Sequence, residues 1–160
     1  MAEREEGRRA APGGADPASW LEDRPRGKVR VDLDRLIRTV PHGVAAAVID
    51  LASGTTLATR TFERRLERDF DLLAAGAADL FHDASFTAVE SMDLGLEEAP
   101  GGRREAIQKV LIQSHHLFYV FLRCPSRTHL VLVTLCRADA NLGMVLMVAR
   151  EALKELEAEG

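Results

Sequence analysis

Apolar residues recur every three or four positions in three stretches of the chain and run almost without interruption in others. From Val31 to Val40 they fall at Leu33, Leu36, Ile37 and Val40, one face of a short helix that Pro41 stops. Gly43 to Asp50 is a small-residue, β-leaning run. Leu51-Ala52-Ser53-Gly54 supplies a turn, and Thr55 to Arg60 reads as the returning strand of a hairpin. The alanines of the first strand leave room for close packing. Phe62, Leu66, Phe70, Leu73, Ala77, Leu80 and Phe81 then predict a helix of about five turns, with Arg64, Arg65, Glu67, Arg68 and Asp71 on its opposite face.

Asp83 to Arg104 is polar and contains Gly95, Pro100, Gly101 and Gly102. It reads as a long connection (about 83–104), of a length that marks a mobile or functional loop. Within it, Ser85 to Met92 is compatible with either a strand or a short helix. Three strands follow, Ala106 to Ser114, Leu117 to Cys124 and Thr128 to Cys136, with turns at His115-His116 and Pro125-Ser126-Arg127. The runs Leu117–Leu122 and Leu130–Val133 do not alternate, so both faces of these strands should be covered. Asp139 is placed to cap a last helix from Ala140 to about Glu157.

The element order is helix, two strands, helix, three strands, helix. It predicts an α/β (α+β) fold: a three-layer α/β/α sandwich around a five-stranded, mainly antiparallel sheet. Residues 1–28 stand apart. They hold three prolines, four glycines and six acidic against six basic residues, too little apolar surface to offset chain entropy. The expectation is a disordered tail over 1–28 and one domain over 29–160. The exception in the tail is Trp20-Leu21, which reads either as a docking anchor or as an apolar pair lying back on the domain.

With 160 residues, 46% hydrophobic and 29% charged, the composition is that of a globular domain, and a net charge of −4 gives no reason to bind nucleic acid or an anionic membrane. No apolar run is long enough to span a bilayer, and Met1 to Arg9 is no secretory signal. Two cysteines exclude a disulfide scaffold and fit a reducing, cytoplasmic setting.

Candidate chemistry is sparse. His115 and His116 are adjacent and, in an extended chain, would point to opposite faces. His42, His82 and His129 lack Cys, Asp or Glu at zinc-type spacing. His82-Asp83 has the form of a base with an orienting carboxylate, or of a polar helix end. Cys124 should lie opposite about His129 and Cys136 opposite about Leu117, leaving the sulfurs about seven residues, or ~20 Å, out of register; both read as core thiols. Ser53-Gly54 lacks the flanking glycine of a nucleophile elbow, and Gly101-Gly102-Arg103-Arg104 lacks a P-loop continuation. The reading is therefore not an enzyme, with no cofactor and no metal.

Two motifs at matching ends of this element order carry a resemblance. Val40-Pro41-His42-Gly43 leading into Val44–Asp50, and Ala138-Asp139-Ala140-Asn141-Leu142-Gly143 leading into the last helix, resemble the Roadblock family (dynein light-chain Roadblock type) over about Val31 to Glu159. The resemblance implies a non-catalytic dimeric scaffold that binds or regulates Ras-like small GTPases, as in the family's bacterial branch. It also implies an edge position for the third strand, where two protomers join into one sheet with their second helices side by side. Lys109, Leu111 and Gln113 are the expected dimer-edge residues. Arg64, Arg65 and Arg68 are candidates for contact with the GTPase, or a solvated helix face. Asn141, Leu142 and Gly143 are the family motif, Gly143 relieving crowding against the first strand or leaving a partner's backbone room. The alternatives are a small-molecule sensor or accessory domain, with His82, His115, His116 and Tyr119 as polar candidates, and a structural dimer docking through its tail.

Overall fold

The structure, a computed structural model, describes residues 29–90 and 107–158. Helix α1 (Leu33–Thr39) starts where the Asp32 carboxylate accepts a hydrogen bond from the Arg35 amide at 2.9 Å. It leads through His42, at the left-handed φ of 55°, into the hairpin of β1 (Gly43–Asp50) and β2 (Thr55–Thr61). The hairpin turn closes with the Gly54 amide donating to the Asp50 carbonyl at 2.8 Å, and Gly54 takes the positive φ of 70° that the turn requires. A 3₁₀ turn (Arg64–Asp69) precedes α2 (Phe70–Phe81). Then come α3 (Ala84–Glu90), β3 (Lys109–Gln113), β4 (Leu117–Arg123), β5 (Leu130–Arg137) and α4 (Leu142–Ala158).

The sheet order is β2-β1-β5-β4-β3, with every neighbouring pair antiparallel. Side chains alternate between two cores. Ala46, Val48, Val120, Leu122, Leu130 and Leu132 face α1 and α4, while Ala45, Ala47, Ile49, Phe121, Val131 and Val133 face α2. The unbroken apolar runs of β4 and β5 thus serve two layers, as the α/β/α expectation required. On the α2 side, the alanines of β1 lie in one cluster with Ala74 and Ala77 of the helix.

Several details differ from the sequence reading. The second helix does not begin at Phe62, which is 57% exposed. No residue of the Arg64–Asp69 segment is buried, so little apolar contact supports a full α turn there, and Thr61 turns the chain by accepting from the Glu63 amide at 2.8 Å. Of the two alternatives for the region after Asp83, the structure forms a helix at Ala84–Glu90; the rest of the expected loop lies outside the described residues, as do the tail, Trp20 and Gly101–Arg104. The third strand is shorter than expected. The last helix is capped by Asn141 rather than Asp139: the Asn141 side-chain oxygen accepts from the Met144 amide at 3.2 Å. Cys136 pairs with Phe118 rather than Leu117, and both cysteines are free and buried.

Two glycines of the motifs have opposite roles. A Cβ at Gly43 would sit 2.3 Å from the Ile37 carbonyl oxygen, so α1 and β1 meet there with no room for a side chain. At Gly143 the expected crowding is absent: a Cβ there would meet only the Asn141 side-chain oxygen, at 3.4 Å, because the first turn of α4 stands clear of β1. Gly43→Ala should therefore cost about 1–3 kcal/mol, whereas Gly143→Ala should gain up to about 1 kcal/mol from helix propensity. Urea titrations of the two variants, compared by midpoint, check the opposite signs.

Candidate functional site

Strand β3 is an open edge. The Ser114 amide donates to the Leu117 carbonyl at 2.8 Å and the Arg123 amide to the Gln108 carbonyl at 2.9 Å. In an antiparallel ladder bonded and non-bonded pairs alternate, so residues 108, 110, 112 and 114 bond inward to β4. The backbone groups of Lys109, Leu111 and Gln113 therefore point away from the sheet. These are the three residues expected at the edge, and the strand shows side chains to solvent as well: Leu111 is 43% and Ile112 38% exposed.

Beside this edge, on the α2 face, lies an apolar groove of about 710 Å³. Its floor is Leu117, Tyr119, Phe121 and Leu135, with Ile112 on one side and Leu72, Leu73, Gly76 and Leu80 of α2 on the other. The groove follows from how α2 spends its apolar residues. Phe70, Ala74, Ala77 and Phe81 are buried against the sheet, while a second stripe at Leu73 and Leu80, continued by Leu66 of the 3₁₀ turn, turns toward the uncovered strands. Leu72, 76% exposed, extends that stripe outward. The helix packs against β1 and β2, so the β4–β3 half of this face has no helix over it among the described residues.

Arg123 holds the surroundings in place, and it was not among the residues expected to matter. Buried on β4, it donates from Nε to the Ile107 carbonyl (2.8 Å), from Nη1 to Thr128 (2.8 Å) and from Nη2 to Phe81 (3.4 Å), with its guanidinium 5.0 Å from the Phe81 ring centre. One side chain thus joins the chain entering β3, the β4–β5 turn and the carbonyl end of α2, where positive charge is favoured. Its sequence signal was an arginine ending an otherwise apolar strand.

Arg64, Arg65 and Arg68 are exposed on the 3₁₀ turn rather than on α2 itself. Arg65 pairs with Glu63 at 3.6 Å. Leu66 and Asp69 of the same turn line the groove, so the arginines stand at its rim. Asn141, Leu142 and Gly143 belong to the opposite face: Asn141 caps α4 and Leu142 packs on the α1–α4 core. On that face Asp34 bridges α1 to β2 through Arg60, whose hydrogen bond holds the Asp34 carboxyl below the usual carboxylate range against the opposing effect of burial, with Arg38 adding to it.

Of the histidines, only His115 and His116 show a ring contact among the described residues. His115 and His116 do not point to opposite faces; in the β3–β4 turn their rings meet edge-on with centres 4.5 Å apart, because that turn is not extended. Asp83 accepts from the Ser85 amide at 2.7 Å as a helix cap, not as a partner of His82. Among the described residues no group of three or more His, Cys, Asp or Glu is placed to hold a metal ion, and no helix is long and apolar enough to cross a membrane. The Cys136 thiol is pushed up to about 11, first by burial and then by the Asp139 carboxylate. A thiol raised only in the folded state favours folding below its ordinary value of 9.0, and that contribution is lost as pH climbs to about 11. Stability should decline over that window and Cys136→Ala should flatten the decline, as denaturant midpoints measured across it will show.

No protein-family model matches the sequence, and the comparison with curated proteins gives no match either. Solved structures do match. A Roadblock/LC7 domain from Streptomyces avermitilis aligns with a TM-score of 0.60 at 15% identity, covering 79% of this chain and 92% of that one. An MglB described as having a tetrameric arrangement gives 0.59 at 21% identity, over 79% and 82% of the two chains. The gliding protein MglB from Thermus thermophilus gives 0.58 at 22% identity, over 79% and 83%. With about four-fifths of the chain superposed at TM-scores near 0.6, this protein has the Roadblock/LC7 fold.

Proposed function

We propose that the chain is a non-catalytic, homodimeric scaffold that binds and regulates a Ras-like small GTPase. The observation that carries the dimer is the pairing of an open edge with an uncovered groove. Outward backbone groups at Lys109, Leu111 and Gln113 can add a strand, and a second copy related by a two-fold axis offers the same edge in return. Joining there brings a second α2 alongside the first and covers Leu72, Leu80 and Ile112, which are costly to leave in water. The tetrameric arrangement described for one MglB supports self-association of this fold. The GTPase surface in this reading is the rim of the paired α2 helices, with Arg64, Arg65 and Arg68 contributing positive charge.

A polar small-molecule site has less support. Of His82, His115, His116 and Tyr119, only Tyr119 lines the groove, and the other groove side chains are almost all apolar.

Leu111→Pro leaves the ladder to β4 intact, because it removes only an outward donor. Two-fold symmetry makes that two bonds at about 1 kcal/mol each, so self-association should weaken about thirtyfold. Sedimentation velocity should find a monomer where the parent is a dimer; an unchanged dimer would place the joint elsewhere. Reversing Arg64, Arg65 and Arg68 to Glu together should weaken capture of a cognate small GTPase roughly tenfold or more, with unfolding midpoints unchanged. Equal capture by parent and variant would remove these arginines from the contact.

A further inference from the structure

We propose that the N-terminal segment docks on its own domain, with Trp20-Leu21 seated on Met144 and Met147 of α4. This inference concerns the face opposite the groove and does not rest on the dimer reading.

Met144 is 48% and Met147 58% exposed, two large apolar side chains one turn apart on a helix whose other flank is well buried. Their position is set by helical spacing. Met144, Val148, Glu151 and Glu155 form one stripe at steps of four, three and four, and Met147 adjoins it. At its C-terminal end that stripe reaches the start of α1, where Glu155 accepts from the Asp32 amide at 3.0 Å and pairs with Arg35. The chain before α1 is delivered to the same place, since Val29 packs against the α1–α4 core.

The reach is sufficient. Met147 and Met144 lie about 12 and 16 Å from Glu155 along the helix axis at 1.5 Å per residue. The nine residues from Trp20 to Val29 span up to about 30 Å. Trp20-Leu21 is the one large apolar pair in the first 28 residues, and methionine sulfur packs favourably on aromatic rings. Charge order agrees as well. Glu22 and Asp23 follow the apolar pair as Arg150 follows Met147 in the direction the chain must run, and the basic Arg24, Arg26 and Lys28 come next, toward Glu151 and Glu155; Lys154 already pairs with Glu151 at 3.0 Å.

Trp20 is the single tryptophan of the chain, so its fluorescence reports on this contact alone. In the full-length protein its emission should be blue-shifted and shielded from acrylamide. The double variant Met144→Lys/Met147→Lys should abolish both effects, with circular dichroism unchanged because both residues are exposed. Leu21→Ser, which leaves the domain untouched, should reduce them in the same direction. Solvent-like emission in the parent, or a blue shift that survives the lysine pair, would overturn the proposal. Mixing Trp20→Phe chains with the lysine-pair chains distinguishes the source of the face. Recovery of the blue shift in the mixture would mean that the tail reaches a second copy and would overturn docking within one chain.

Discussion

A sheet whose middle strands are apolar on both sides needs a helical layer on each, and this chain supplies the two layers unequally. On one side α1 and α4 stand together over the sheet, joined by Glu155 to the first turn of α1 and tied to β2 through Asp34 and Arg60. On the other, among the described residues, α2 and the 3₁₀ turn before it cover β1 and β2. The shortfall falls at β3 and β4, where the floor residues Leu117, Tyr119 and Phe121 meet an apolar groove instead of a helix. The groove follows from that one imbalance, and it lies beside the edge that the strand order leaves open at β3.

The imbalance would be harmless if the uncovered strand could fray. Arg123 works against that. By binding carbonyls from the entry to β3, from the β4–β5 turn and from the end of α2, it fixes three chain segments to one buried cation. Carbonyl oxygens at a helix end are poorly satisfied by the helix itself, so the arginine answers a need of α2 while steadying the edge strand. A rigid edge loses less conformational entropy on association than a loose one.

Much of this architecture was legible in the sequence because it depends on period. Runs such as Leu130–Val133 announce burial on both faces, and the spacing of Leu33, Leu36 and Ile37 announces a helix. What pattern alone missed depends on competition between local options. Phe62 and Leu66 fit the helical spacing of α2, but the charged residues between them give an α turn nothing to pack on, and the hydroxyl of Thr61 redirects the backbone. Asn141 and Asp139 are equally good caps on paper, and only the path of the chain out of β5 decides between them. The groove was illegible for a different reason. The two apolar stripes of α2 look like one broad face until the sheet takes one and leaves the other. Spacing also could not show that Arg123 would point inward.

The outward backbone groups of β3 have a consequence for how such a protein changes over time. Peptide groups are the same in every residue, so a joint made through them asks for extended chain and an apolar flank, not for particular side chains. In the proposed dimer, substitution could then run through most of the surface without abolishing the joint, provided proline stays off the edge. The fold itself survives such change: chains that share about a fifth of their residues with this one keep it.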